Sequence, residues 1–205
     1  MEKFNSGYYT EDDLKDAGFK SIGKNVLIDK NCNIIGLKNI SIANNVRIDG
    51  FTTITCLNDG FLDIGSNVHI ASYCLVAATG GIKFGDFSGI AHGVKLYSSS
   101  DDYSGKSMTN PTVPAKYKNM SVKKIILGRH CIIGSSSVIL PGVKIGEGSS
   151  VGAMSLVTKS LDEWGIYFGS PAKRIKDRSK KILELEEEYL QDIMYESHHK
   201  WVSSN

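Results

Sequence analysis

The sequence predicts an all-β solenoid. Three features of one short repeat predict it: an aliphatic residue every six positions, a small residue directly after it, and a small or β-branched residue at the fifth place. The repeat is most regular late in the chain. There LGRHCI, IGSSSV, ILPGVK, IGEGSS, VGAMSL and VTKSLD set Leu127, Ile133, Ile139, Ile145, Val151 and Val157 in unbroken register. Earlier repeats begin at Ile22, Ile28, Ile42, Ile48, Ile64 and Ile70, and the frame slips by two residues from Ile82 to Phe84 before Ile90. A period of six is not helical. It suits short strands that each point one aliphatic residue inward, three of them closing a triangular coil.

Each restricted place has a steric reason. Gly or Ala at the second place is expected where the chain turns and needs conformational tolerance. Fifth-place residues, among them Val26, Thr52, Val68, Ser88, Ser137 and Ser149, must fit inside a narrow prism that bulk would overpack. Cys32, Cys74 and Cys131 fall on that place and read as packing residues. Cys56, third in ITCLND, has no adjacent histidine to activate it, and no CxxC pairing suggests a disulfide framework or zinc ribbon. All four are expected to be reduced thiols.

Departures from the repeat frame it. TEDDLKDAGF reads as a short helix with Thr10 as its N-cap, closing one end of the solenoid. Over 97–124 the pattern gives way to a loop rich in Ser, Asn and Gly, with Pro111, Pro114 and the tyrosines Tyr97, Tyr103 and Tyr117. After the repeats comes a basic run. Ile182, Leu185, Tyr189 and Ile193 then recur at helical spacing, predicting a C-terminal helix that packs on the prism or on another subunit. One domain over 1–205 is expected, with a helical cap at 1–21, coils over 22–160 and a tail and helix over 161–205.

A net charge of +2, with 22% charged and 41% hydrophobic residues, argues against disorder and against a nucleic-acid partner. A small ligand is the better expectation. No stretch approaches about 18 apolar residues, and the acidic N-terminal segment does not read as a secretory leader, so a soluble cytoplasmic protein without membrane contact is expected.

From about Ile22 to Arg178 these repeats resemble those of the hexapeptide-repeat acyltransferases. The resemblance implies a left-handed parallel β-helix; the hand comes from the family, since parallel crossovers are otherwise right-handed. The segment from Ile133 to Lys176 is similar to the coenzyme A segment of the maltose and galactoside acetyltransferases. By that resemblance Ser135 and Ala153 meet the pantetheine arm of an acyl-CoA cosubstrate through backbone groups, and Thr158 and Lys159 lie near its adenosine end. Lys173 and Lys176 of GSPAKRIK meet its phosphates, with Arg174 or Arg178 as substitutes. The family also implies a homotrimer with active sites between subunits, and no permanently bound cofactor or metal.

The histidine base of the related acetyltransferases is absent. Ungapped alignment of FGDFSGIAHGVKLYSSSD puts Asp101 in its place with Asp102 beside it, while His92 and His130 fall on turns. The two aspartates also fit an Asx-type turn before Gly105. A carboxylate with a reference pKa of about 3.9 suits an amine, whose ammonium loses its proton near about 8, better than an alcohol. The loop SDDYSGKSMTNPTVP further resembles that of acyltransferases acting on nucleotide-linked 4-amino-4,6-dideoxy sugars of surface polysaccharides. The reading is N-acylation of a dTDP- or UDP-linked amino sugar, with Asp101 taking the proton and a backbone N–H at Gly134 or Gly152 holding the oxyanion. Sugar O-acetylation is the same-fold alternative. A carbonic-anhydrase-like zinc site from His69, His92 and His130 is a further one, though their spacing lacks the close pair expected.

Overall fold

The structure, a computed structural model, describes residues 6–203, with side chains through 194. Short strands stack in parallel into three faces. The first face holds Ser21–Ile22, Ile40–Ile42, Leu62–Ile64, Ile82–Phe84, Ile125–Leu127 and Lys144–Ile145. The second holds Val26–Ile28, Val46–Ile48, His69–Ile70, Gly89–Ile90, Ile132–Ile133, Ser150–Val151 and Gly165–Phe168, and ends in the antiparallel Lys173–Asp177. The third holds Asn33–Ile35, Thr53–Thr55, Leu75–Ala77, Lys95–Tyr97, Val138–Ile139 and Leu156–Val157. The chain visits the faces in turn, giving a β-solenoid of about seven turns. The sequence repeat did not reveal the strands Gly165–Phe168 and Lys173–Asp177, which extend the second face into the tail.

Register follows the repeat. Leu127 pairs with Ile145, Ile133 with Val151 and Ile139 with Val157, each pair three repeats apart. Earlier partners, such as Ile42 and Ile64, are further apart. The excess residues gather at the third edge, where the third face leads back to the first. The slip before Phe84 is such an insertion, and the long loop is the largest, rooted there by Ser99–Ser100 antiparallel to Ser121–Val122.

The aliphatic first-place residues form the core, and the fifth-place residues are buried with them except Cys32, which is half-buried. Desolvation pushes the thiols of Cys32, Cys74 and Cys131 up to about 11, so they stay protonated and inert at neutral pH. One expectation changes. Small second-place residues are needed because the next coil is too close: a Cβ on Gly134 would lie 2.4 Å from the Ala153 nitrogen. Left-handed backbone falls instead at the fourth place, at Asn25, Asn45 and Asn67 but also at Phe51, Tyr73, Phe87 and His130.

Helix α1 (Glu11–Asp16) carries the expected cap as a full capping box between Thr10 and Asp13, and it buries Leu14. Helix α2 (Lys181–Ser203) lies along the first edge, between the first and second faces. Glu186 meets Arg129 and accepts from His130 Nε2 at 2.8 Å, while Tyr189 donates to Asn67 Oδ1 at 3.3 Å and sets its ring edge-on to Phe87. Leu185, Leu190, Ile193 and Met194 remain exposed. No helix among the described residues is long and apolar enough to cross a membrane.

Burial alone would raise the Glu186 carboxyl, but hydrogen bonds from His130 and Arg129 and their charge hold it below the ordinary glutamate value. A carboxyl lowered in the folded state contributes stability that is complete above its unfolded pKa and lost as pH falls through the folded one. Amide exchange over 182–190, corrected for intrinsic rates, is therefore expected to accelerate on acidification, and in Glu186→Gln to be fast already at neutral pH. Equal neutral-pH protection in the two proteins contradicts this lock.

Candidate functional site

At the second edge, between the second and third faces, the turns stack directly on one another. The fourth-place N–H of each coil donates to the third-place carbonyl of the coil before: Tyr73 to Gly50, Gly93 to Ser72, Ser136 to His92 and Met154 to Ser135. The third-place N–H groups of Gly50, Ser72, His92, Ser135 and Ala153 are left with no acceptor among the described residues. The first edge differs in its N-terminal coils. There the N–H groups of Lys24, Asn44 and Ser66 are taken by Asn44 Oδ1 at 2.8 Å, Ser66 Oγ at 3.4 Å and Asp86 Oδ1 at 2.7 Å. Further along it the N–H groups of Asp86, Arg129 and Glu147 also have no acceptor among the described residues. The second edge thus presents a row of open backbone donors at the inter-strand spacing of about 4.8 Å. A long thin chain carrying amide carbonyls suits such a row, and Ser135 and Ala153 are adjacent members of it.

Two expectations fail on hydrogen bonding. The N–H of Gly134 is bound to the Val151 carbonyl at 2.7 Å and that of Gly152 to the Tyr167 carbonyl at 2.8 Å, so neither is open to an oxyanion. Nor are the arginines free to substitute at the phosphates. Arg174 donates to Tyr167 and Asp177, both at 2.9 Å, and Arg178 donates to the carbonyls of His130 at 2.7 Å and Gly148 at 2.9 Å. Lys173 and Lys176 lie exposed on the closing strand and have no ion-pair partner among the described residues.

Thr158 and Lys159 are exposed at the third edge, two coils beyond the root of the long loop. Ser135 and Ala153 therefore lie on the opposite margin of the third face from Thr158, Lys159 and the loop that carries the aspartates. Within that loop the two aspartates differ. Asp102 accepts from the Ser104 N–H at 2.8 Å and from Ser107 Oγ at 3.0 Å, and bonds from Ser104 and then Ser107 hold its carboxyl below the usual range. It makes an Asx turn. Asp101, half-buried, accepts one N–H, from Asn110 at 3.2 Å.

The histidines border one groove of about 440 Å³ on the second face without converging. His69 Nε2 lies 2.8 Å from Asp49, His130 is held by Glu186, and His92 is exposed. No cluster of three metal-ligating side chains occurs among the described residues. The row of open donors could not be read from side-chain types; its only sequence trace is the second-place glycine or alanine that lets coils stack so closely.

The Asx turn makes a prediction. Asp102→Ala is expected to speed limited proteolysis within 101–120, whereas Asp102→Asn, which keeps the acceptor, leaves the cleavage rate near that of the parent. Equal rates in both variants would show that Asp102 does not order the loop.

The chain matches the bacterial transferase hexapeptide (six repeats) family over residues 124–159. It is 42% identical over 179 residues to dTDP-4-amino-4,6-dideoxy-D-glucose acyltransferase of Escherichia coli, covering 87% of this chain and 93% of the relative. AntD, an N-acyltransferase from Bacillus cereus solved with dTDP and 3-hydroxybutyryl-CoA, superposes with a TM-score of 0.87, at 46% identity over 93% of this chain and 99% of AntD. A serine-to-cysteine variant of AntD, in complex with dTDP-4-amino-4,6-dideoxyglucose and coenzyme A, also has a TM-score of 0.87, at 47% identity over 92% and 99% of the two chains.

Proposed function

The chain belongs to the hexapeptide-repeat acyltransferases of dTDP-linked 4-amino-4,6-dideoxy sugars, and on that premise we propose that it moves an acyl group from acyl-CoA to the amine of such a sugar in the cytoplasm. The observation that carries this reading is near-full-length identity of 47% to an N-acyltransferase bound to both a dTDP-amino sugar and coenzyme A. The products are an amide and free coenzyme A.

The amine nitrogen attacks the thioester carbonyl, the C–N bond forms, and collapse of the tetrahedral intermediate breaks the C–S bond. Asp101 accepts the ammonium proton and the departing sulfur is protonated in turn, so the carboxylate is regenerated. Asp102 acts on the loop, keeping Asp101 in place. With Gly134 and Gly152 occupied, the open N–H of His92 is the donor for the oxyanion. Ser135 and Ala153 offer their N–H groups to the pantetheine amides, Lys173 and Lys176 meet phosphates, and Thr158 and Lys159 flank the adenosine end.

These groups occupy two edges of one prism. A carrier lying along the second edge meets the third-edge residues where a neighbour's third edge faces it, which is the heterologous contact of a closed ring. A homotrimer satisfies this, each site taking its donor row from one protomer and its loop from the next.

Thiol release is the test, with acetyl-CoA and 3-hydroxybutyryl-CoA offered against dTDP-linked amino and hydroxy sugars. Release with the amino sugar alone is expected. Asp101→Asn should lower kcat by about 100-fold or more, with partial recovery at high pH as the amine deprotonates unaided. Undiminished turnover in Asp101→Asn removes it as the base, and no release from any pair overturns the proposed activity.

A further inference from the structure

Inside the long loop one residue is held in a backbone conformation that its position disfavours. Asn110 has a φ of +68°, in the left-handed region, and Pro111 follows it. Left-handed backbone is costly for any residue with a Cβ, least so for Asn and Asp, and a following proline pushes a residue toward extended backbone instead. Over 97–124 no other non-glycine residue is left-handed. Strain of this kind persists only where the surrounding bonds over-determine it.

Here they do. Asn110 Oδ1 accepts from the Thr112 N–H at 3.0 Å and from Thr112 Oγ1 at 2.6 Å. The Asn110 carbonyl accepts from Lys118 Nζ at 3.0 Å. Lys118 is set in turn by the short turn Ala115–Tyr117, whose carbonyls take the N–H groups of Lys118 at 3.0 Å and Met108 at 2.9 Å. The remaining backbone group, the Asn110 N–H, donates to Asp101 Oδ2 at 3.2 Å, and no other donor reaches that carboxylate among the described residues. Asp102 orders its own stretch through Ser104 and Ser107, so the two halves of the loop are tied separately. Only the second half reaches the base.

We propose that Asn110 is a positioning residue for Asp101: its left-handed backbone aims one N–H at Oδ2, stops the carboxylate from turning about its χ angles, and leaves Oδ1 to the acceptor amine. This rests on the reading of Asp101 as the base. Alanine at 110 would lose the acceptor for Thr112 and favour extended backbone before Pro111, which withdraws the N–H. Glycine keeps the N–H and takes the left-handed region freely.

The test is steady-state kinetics of Asn110→Ala, Asn110→Gly, Asp101→Asn and the Asn110→Ala, Asp101→Asn double variant, each confirmed at the parental mass by light scattering. Asn110→Ala should lower kcat with the amino sugar by about 10- to 100-fold and leave KM for acyl-CoA unchanged. Asn110→Gly should lose less. In the Asp101→Asn background the alanine change should cost almost nothing further, because no base is left to position. Parental kcat in Asn110→Ala, or a glycine variant as slow as the alanine one, overturns the proposal. Losses that multiply in the double variant also overturn it, since a collapsed loop and not a misplaced carboxylate would explain them. Undiminished turnover in Asp101→Asn refutes the base itself, and the proposal falls with it.

Discussion

Everything in this molecule follows from coils stacked one hydrogen-bonded strand apart. At about 4.8 Å per coil, each residue sits directly over its equivalent in the coil before, and there is no slack for a side chain between turns. The spacing forbids a Cβ at Gly134 and selects Ser, Val, Thr or Cys for the fifth place. It also fills the interior of the described coils largely with Ile, Leu and Val. Binding is driven outward, to the edges.

The three edges have been put to different uses by small differences in hydrogen bonding. The first is closed in its N-terminal coils, where turn donors are taken by Asn44, Ser66 and Asp86, and α2 lies along it, held by Glu186 on Arg129 and His130. The third absorbs every insertion, including the loop with Asp101. The second keeps its donors open, from Gly50 to Ala153. In the proposed reaction the acyl carrier takes the row of donors and the amine takes the proton acceptor, and those lie on different edges. Under the proposed ring assembly the two meet, and catalysis and oligomerisation become one geometric requirement.

How much of this was legible in the sequence depends on whether a feature is carried by side-chain identity. Repeat period, fifth-place packing, inert cysteines and the Thr10 cap all are, and each appears in the structure as read. Backbone valence is not. Nothing in the letters distinguishes the bonded N–H of Gly134 or Gly152, the expected oxyanion donors, from the open N–H of Ser135. Arg174 and Arg178 look like free cations in GSPAKRIKDR, yet both are spent on carbonyls, a hydroxyl and a carboxylate of this chain. Adjacent Asp101 and Asp102 are equivalent on paper; only the fold of the loop gives one to a turn and leaves the other nearly open. The strands Gly165–Phe168 and Lys173–Asp177 lack the six-residue phase: the first adds in parallel to Ser150–Val151 and the second turns back antiparallel on it, closing the second face.

The central claim is that one protomer's open donors and its neighbour's loop make a single site, and complementation between variants measures it most directly. Ala153→Trp blocks the donor row and Asp101→Asn disables the loop, so each is inactive alone while remaining assembled. Unfolded together and refolded as mixed rings at equal ratio, the pair should recover about a quarter of parental turnover, because one interface in four then joins an intact row to an intact loop. Mixed rings as inactive as either variant alone would place both groups of a site on the same chain and contradict the account.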